Sequence, residues 1–225
     1  MTYLSANSLR GTYTGTLRRN APSIPVTTWE CPFSVPLAGA GDLSRMWQHS
    51  LMPATTRLIS VNDVERLAGL QLSSRLFLAP WDPIRADPYF TVAGQQAEVE
   101  NALARHGRGE AVPHVILDED SQVVGRITFS GITYGAFQSC NMGYWVAQES
   151  NGRGYATNAV RAMTALAFKE LSLHRIQAET LIPNARSQRV LERVGFVRYG
   201  TAPKYLKIAG RWQDHLMYQL LTDSH

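Results

Sequence analysis

From Thr55 onward the apolar positions fall into strand-like and helix-like runs, whereas residues 1–54 show no sustained period. "TTRLIS" has the character of a strand, and Ser60 or Asn62 can cap a helix whose first turn carries Asp63 and Glu65. "FLAPWDP" reads as a Pro-rich loop and "QQAEVENALARH" as a second helix ending at Gly107. A three-strand meander follows. "VPHVILD" and "QVVGRITFS" flank the turn "EDS", and "NMGYWVA" comes after the loop "GITYGAFQS". Val160, Met163, Leu166, Ala167 and Leu171 recur at helical spacing and predict a helix reaching Leu171. "HRIQAETLI" then reads as a strand and "NARSQRVLERV" as a short helix closed by Gly195. "GFVRYGT" and "QDHLMYQLL" are expected to form a terminal hairpin. The order β-α-α-β-β-β-α-β-α-β-β predicts an α/β fold, a mixed sheet with helices packed on its faces.

A chain of 225 residues can bury a core of ordinary size. Residues 55–225 are expected to be that folded domain, and residues 1–54, rich in Ser, Thr, Gly and Pro, an N-terminal extension with the composition of a poorly ordered segment. No apolar run approaches the roughly 18 residues a membrane span requires. The first 29 residues carry Arg10, Arg18 and Arg19 without an acid, but lack the apolar centre of a secretory signal. Cys31 and Cys140 form no framework. A reduced, cytoplasmic setting is therefore expected.

Charge changes the picture more. The formal net charge of +4 divides into +2 over residues 1–54, −4 over 55–149, +8 over 150–211 and −2 over the tail. The basic block opens at "NGRGYATNAV", where a strand-like run meets a helix. Gly152 and Gly154 at such a junction leave backbone N–H groups free at the helix N-terminus and let an anionic oxygen come close. Thr157 breaks G-x-G-x-x-G, and no G-x-x-x-x-G-K is present, so neither a dinucleotide fingerprint nor a P-loop is read here. A polyanionic ligand is expected, the alternative being a solvated cationic surface.

At this point the sequence resembles the GNAT superfamily of acyl-CoA-dependent N-acyltransferases. "NGRGYATNAV" is similar to its pyrophosphate-binding motif, the preceding strand ends "GYWV", and "NARSQRVLERVGF" is similar to its second signature. "FLAPWDPIR", "GAFQSCNMGYWV", "HRIQAETLIPNARS" and "YLKIAGRWQDHLMY" resemble the ribosomal-protein-alanine N-acetyltransferase branch, over about residues 55–221. The resemblance implies a mostly antiparallel sheet splayed at the cofactor site, with acetyl-CoA as co-substrate and no metal. It implies that Tyr144, Val146, Asn151, Gly152, Arg153, Gly154, Tyr155, Ala156, Thr157, Asn184 and Ser187 bind the cofactor, with the Val146 N–H serving the thioester oxyanion. Asn184 has a second reading as a helix N-cap, and both can hold.

Three positions depart from the family pattern. Glu149 stands where Arg or Gln is usual and is expected to face solvent. Leu191 replaces the tyrosine that donates a proton to the leaving thiolate in many members. In the ribosomal branch Ser187 matches the alternative donor, although a serine in a first helical turn is common without any such role. The Glu that some members place near the last hairpin is here Tyr205 or Leu206.

Chemistry adds a base. The attacking amine must be neutral, and Glu179, on the strand beside the cleft, is the first choice, with Tyr205 and Asp214 behind it. His114, His174 and His215 lack metal-ligand spacing and read as structural. The acids of the early helices (Asp63, Glu65, Asp82, Asp87, Glu98 and Glu100) suggest an acidic rim for a cationic acceptor, with Trp81 as a wall or a core residue.

The expected activity is acetyl transfer from acetyl-CoA to a protein N-terminal amine. The alternative is a small-molecule amine, with an aminoacyl-tRNA donor or an RNA partner as a further reading of the nineteen arginines against three lysines. The sequence carries no signal of oligomeric state.

Overall fold

The structure, a computed structural model, describes residues 55–222. The expected extension over residues 1–54 and Cys31 lie outside the described residues.

Strand β1 (Thr56–Leu58) is followed by helices α1 (Val64–Ser73), α2 (Arg75–Leu78) and α3 (Val92–Gly107). Strands β2 (Ala111–Leu117), β3 (Val123–Thr133) and β4 (Ser139–Val146) form the meander. Helix α4 (Tyr155–Lys169), β5 (Arg175–Leu181), α5 (Ala185–Val194) and the hairpin of β6 (Val197–Ile208) and β7 (Arg211–Leu221) complete the order. All seven strands share one sheet, β1-β2-β3-β4-β5-β7-β6, antiparallel throughout except between β4 and β5.

The sequence pattern misplaces several boundaries. Phe77 and Leu78 belong to α2 rather than to the Pro-rich loop, because one helical turn is too short to show a period. Helix α3 begins at Val92, three residues before the expected start, since the Thr91 Oγ1 caps it by accepting from Gly94 N at 3.1 Å. Strand β6 runs on to Ile208 through residues that look like a turn. It is the edge of the sheet and mostly exposed, so it needs no apolar alternation.

Two cores form, one on each face. Val112 and Ile116 of β2 pack with α4 and α5, and Val115 and Leu117 pack with α1 and α3. Burial on both sides explains why β2 reads as an almost unbroken apolar run. Ala159, Val160, Met163 and Ala167 form the buried face of α4, and Leu191 of α5 is fully buried beside them. Cys140 lies in the same core as a free thiol that burial pushes up to about 12.

The parallel junction positions the site. Strands β4 and β5 pair only at Ser139↔Arg175, Cys140↔Ile176 and Asn141↔Gln177, although β4 continues to Val146 and β5 to Leu181. Beyond Asn141 the two strands part and leave a wedge in the middle of the sheet.

The turn that leads into α1 is open to test. Buried Asp63 receives Arg57 through Nη1 at 2.8 Å and Nη2 at 2.6 Å, and Ser60 N at 2.8 Å. Burial alone would raise this carboxyl, but the Arg57 and Ser60 bonds outweigh it and hold it below the ordinary range. Its stabilisation is therefore complete above the unfolded value of about 4 and is lost as pH falls through the lower folded value. Asp63→Asn is expected to cost about 1–3 kcal/mol at pH 7. The melting-temperature gap to the wild type should close in strong acid, and a gap constant from neutral pH down into that range would contradict this assignment.

Candidate active site

The wedge opens into a cavity of about 750 Å³. Tyr144 and Val146 of β4, Ala156 of α4 and Ser187 and Val190 of α5 line one part of it, and Gln71, Phe77, Trp81 and Asp82 line the other. A second cavity of about 390 Å³ adjoins it through Val146, Asn151, Ala156, Arg186, Arg189 and Val190, and is floored by Gly152, Gly154, Tyr155 and Thr157.

The two glycines adopt φ +83° and +88°, the left-handed region that side chains with a Cβ enter only at a cost. Gly154 is the N-cap residue of α4, and a Cβ at either glycine would meet no protein atom within 4 Å. Conformation, not crowding, therefore demands glycine, and the open space is the cavity itself. The first-turn N–H groups of α4 have no carbonyl of their own helix to bond and point at this space. Arg186, Arg189 and Arg193 line the same cavity from α5. Sequence reading missed these three, although their i, i+3, i+7 spacing was a usable signal. Arg153 behaves otherwise: it is exposed and set against the Tyr155 hydroxyl and the carboxylates of Glu119 and Asp118, away from the cavity lining. The Tyr155 hydroxyl is itself bonded to Glu119. Glu149 is exposed and lies 3.6 Å from Arg66, so its charge is directed away from the cradle as expected.

The Asn151 Nδ2 donates to the carbonyls of Val146 (3.1 Å) and Ala147 (2.9 Å) and ties the loop to the end of β4. Ala147 N donates to Val124 O of β3 at 2.8 Å. Successive N–H groups of a strand point to opposite edges, so the Val146 N–H is directed toward the wedge.

Asn184 caps α5, its side chain accepting from Ser187 N at 3.2 Å. Ser187 Oγ is 2.8 Å from the Tyr144 hydroxyl, which also donates to Ser187 O at 3.3 Å. Burial pushes the Tyr144 phenol well above its ordinary value, against the opposing pull of Ser187. Tyr144 thus holds the serine hydroxyl at the cavity wall and is a poor acid itself. Leu191 is fully buried in the core and offers no donor.

On the other face Glu179 lies two residues beyond Gln177, the last residue of β5 to pair with β4, and neither it nor Tyr205 is among the residues lining the two cavities. Tyr205 lies edge-on to His215 with ring centres 5.6 Å apart. Burial and the Glu179 charge raise the Tyr205 phenol. Glu179 and Tyr205 are thus brought together, while Asp214 accepts Lys204 N at 2.8 Å on the hairpin.

Four of the six acids expected at the rim have partners. Asp63 pairs with Arg57, Asp82 with Arg85 at 3.3 Å and Asp87 with Arg75 at 2.7 Å, while Glu100 accepts from Gln96. Trp81, 37% exposed, and Asp82 do line the cavity.

A sheet split between two parallel strands, with a glycine-floored cavity lined by three arginines at one mouth and a hydroxyl pair on its wall, is suited to a long anionic ligand lying in the split. The acetyltransferase (GNAT) domain family matches residues 55–197, and the chain belongs to it. It is 38% identical to Probable N-acetyltransferase YjcK of Bacillus subtilis (strain 168), over 74% of this chain and 92% of that protein. It is 34% identical to the [ribosomal protein uS5]-alanine N-acetyltransferase of Escherichia coli (strain K12), over 74% and 86%. The structure of Mycobacterium smegmatis RimJ in complex with CoA-disulfide is similar, with TM-score 0.72 and 30% identity over 75% and 81%. The chain is an N-acetyltransferase that uses acetyl-CoA, with an amine as acceptor. Among the described residues no helix is long and apolar enough to cross a membrane.

Proposed function

We propose that this enzyme acetylates the α-amino group of a protein N-terminus, of the ribosomal-protein-alanine type, with residues from Thr55 onward as its catalytic domain and the cytoplasm as its setting. The observation that carries the reading is the acceptor half of the large cavity. Its walls are Leu76, Phe77, Pro80 and Trp81 together with Gln71 and Asp82, and the Asp82 carboxylate is paired with Arg85. Such a mouth suits one amine on a small apolar residue better than a polycation, and 34% identity to a uS5-alanine acetyltransferase points the same way.

In this reading the pyrophosphate rests on Gly152, Gly154 and the first turn of α4, with Arg186, Arg189 and Arg193 supplying positive charge. The pantetheine arm follows α5 into the wedge, where the Val146 N–H receives the thioester oxygen as it becomes an oxyanion. Glu179 takes a proton from the incoming ammonium, the neutral amine attacks the carbonyl, and the carbon–sulfur bond breaks. Ser187, held by Tyr144, gives its proton to the departing thiolate.

The test is incubation with acetyl-CoA and a panel of peptides with Ala, Ser or Gly first, together with free polyamines and aminoglycosides, read by mass spectrometry. The expected product carries one acetyl group on the α-amine of the Ala-first peptide. Acetylation confined to the small amines would overturn the acceptor assignment.

A further inference from the structure

His215, read from the sequence as structural, has no part in the steps above. The side chain is 3% exposed on β7. Its Nδ1 lies 2.9 Å from the carbonyl oxygen of Gln213. A carbonyl can only accept, so Nδ1 carries the ring proton and Nε2 keeps its lone pair. This is the reverse of the tautomer that free imidazole side chains favour in water.

The register of β7 on β5 sets His215 opposite Leu181 and Met217 opposite Glu179, which places His215 and Glu179 on the same face of the sheet, neighbours along the ladder. Tyr205 closes the other side from β6. The titratable groups on the imidazole's face are Glu179 from β5 and Tyr205 from β6, while Asp214, next to it in β7 and therefore on the opposite face, acts only through its charge and is engaged by Lys204 N. Burial lowers the imidazole, while the Gln213 carbonyl, Glu179 and Asp214 oppose it; the net shift is downward, so the ring is neutral at pH 7.

An ammonium that becomes an amide must lose two protons, and a single carboxylate holds only one. We propose that His215 is the second proton site of the acceptor face, acting behind Glu179 as a positioning residue rather than touching the substrate. Glu179 takes the first ammonium proton and passes it to His215 Nε2, leaving an imidazolium beside a carboxylate. The restored carboxylate takes the second proton once the nitrogen–carbon bond has formed. The thiolate is protonated by Ser187, which regains its proton from solvent, and Glu179 and His215 later return theirs to solvent, so that one proton is released per amide formed. This inference rests on the acyl-transfer reading with Glu179 as base.

Ring-¹⁵N spectra of the full chain with acetyl-CoA bound test the coupling without turnover. They are expected to show the Nδ1–H tautomer for His215, and Glu179→Gln should lower the pH at which the ring titrates, since it removes a negative neighbour. An Nε2–H tautomer, or a midpoint unmoved by Glu179→Gln, would overturn the proposal.

In kinetics, His215→Asn keeps an amide donor for Gln213 O but cannot take a proton. It is expected to lower kcat about tenfold with unchanged KM for acetyl-CoA, below the usual range for general acid–base groups because the residue acts at one remove. The acid limb of kcat/KM for the amine should also lose the shape of a coupled pair. An active His215→Asn enzyme with the wild-type limb would count equally against it. If His215→Asn does not fold, the spectra of wild type and Glu179→Gln decide alone. Those spectra are also independent of whether the peptide panel is acetylated, so failure of the acceptor assignment and failure of the relay are read separately.

Discussion

Ser187→Ala is expected to lower kcat about 100-fold while leaving acetyl-CoA affinity nearly unchanged, the low end of what a general acid contributes because a thiolate leaves readily. The substitution removes the one hydroxyl that Tyr144 orients toward the cavity, at 2.8 Å. It should not unfold the domain, since the Tyr144 hydroxyl keeps its bond to the carbonyl of residue 187 at 3.3 Å and the Asn184 cap uses the backbone N–H of that residue. Tyr144→Phe separates donor from orienter. The serine remains but loses its fixed direction, and a smaller loss of kcat is expected. Leu191 cannot substitute from its place in the core. Steady-state kinetics and isothermal calorimetry on the two variants make the test, and a Ser187→Ala enzyme with full kcat would return the serine to a helix-start residue.

Gly154→Val is expected to weaken acetyl-CoA binding by about 10–100-fold, the equivalent of losing one charge-assisted bond worth roughly 1.5–3 kcal/mol. At φ +88° a β-branched residue is strained, and its Cβ would stand in the open space where the cavity meets the first turn of α4. Gly109, at φ +73° between α3 and β2 and likewise with open space around it, supplies the control. Gly109→Val carries similar backbone strain, roughly 1–2 kcal/mol, without touching the cradle. Calorimetry should separate the two, with equal losses of melting temperature but a loss of affinity in the first alone. Unchanged binding in a folded Gly154→Val protein would remove the cradle from the site.

Signals that live in a few consecutive residues are legible in the amino-acid order. The apolar period of α4, the glycine pair at its start, the N-cap Asn184 and the C-terminal Gly195 of α5 each depend on local backbone preferences, and each stands where that order puts it, except that α4 stops at Lys169, two residues short of Leu171. The edge strand β6 and the single turn of α2 are not legible in this way, because an exposed strand and a four-residue helix carry no periodic signal.

The site divides along the same line. The fold class, the glycine pair that opens α4 and the place of Ser187 in the first turn of α5 are written as contiguous motifs, so the amino-acid order is enough to find them. Folding in three dimensions was needed to show that Asp63, Asp87 and Asp82 of the first lobe pair with Arg57, Arg75 and Arg85. It also sets Tyr144 on Ser187, 43 residues apart in the chain, and gathers Glu179, Tyr205 and His215 from three strands onto one face. The cause is register. Which side chains meet across a sheet depends on strand order and on where β4 and β5 stop pairing, and those are settled by packing between residues that the chain keeps far apart.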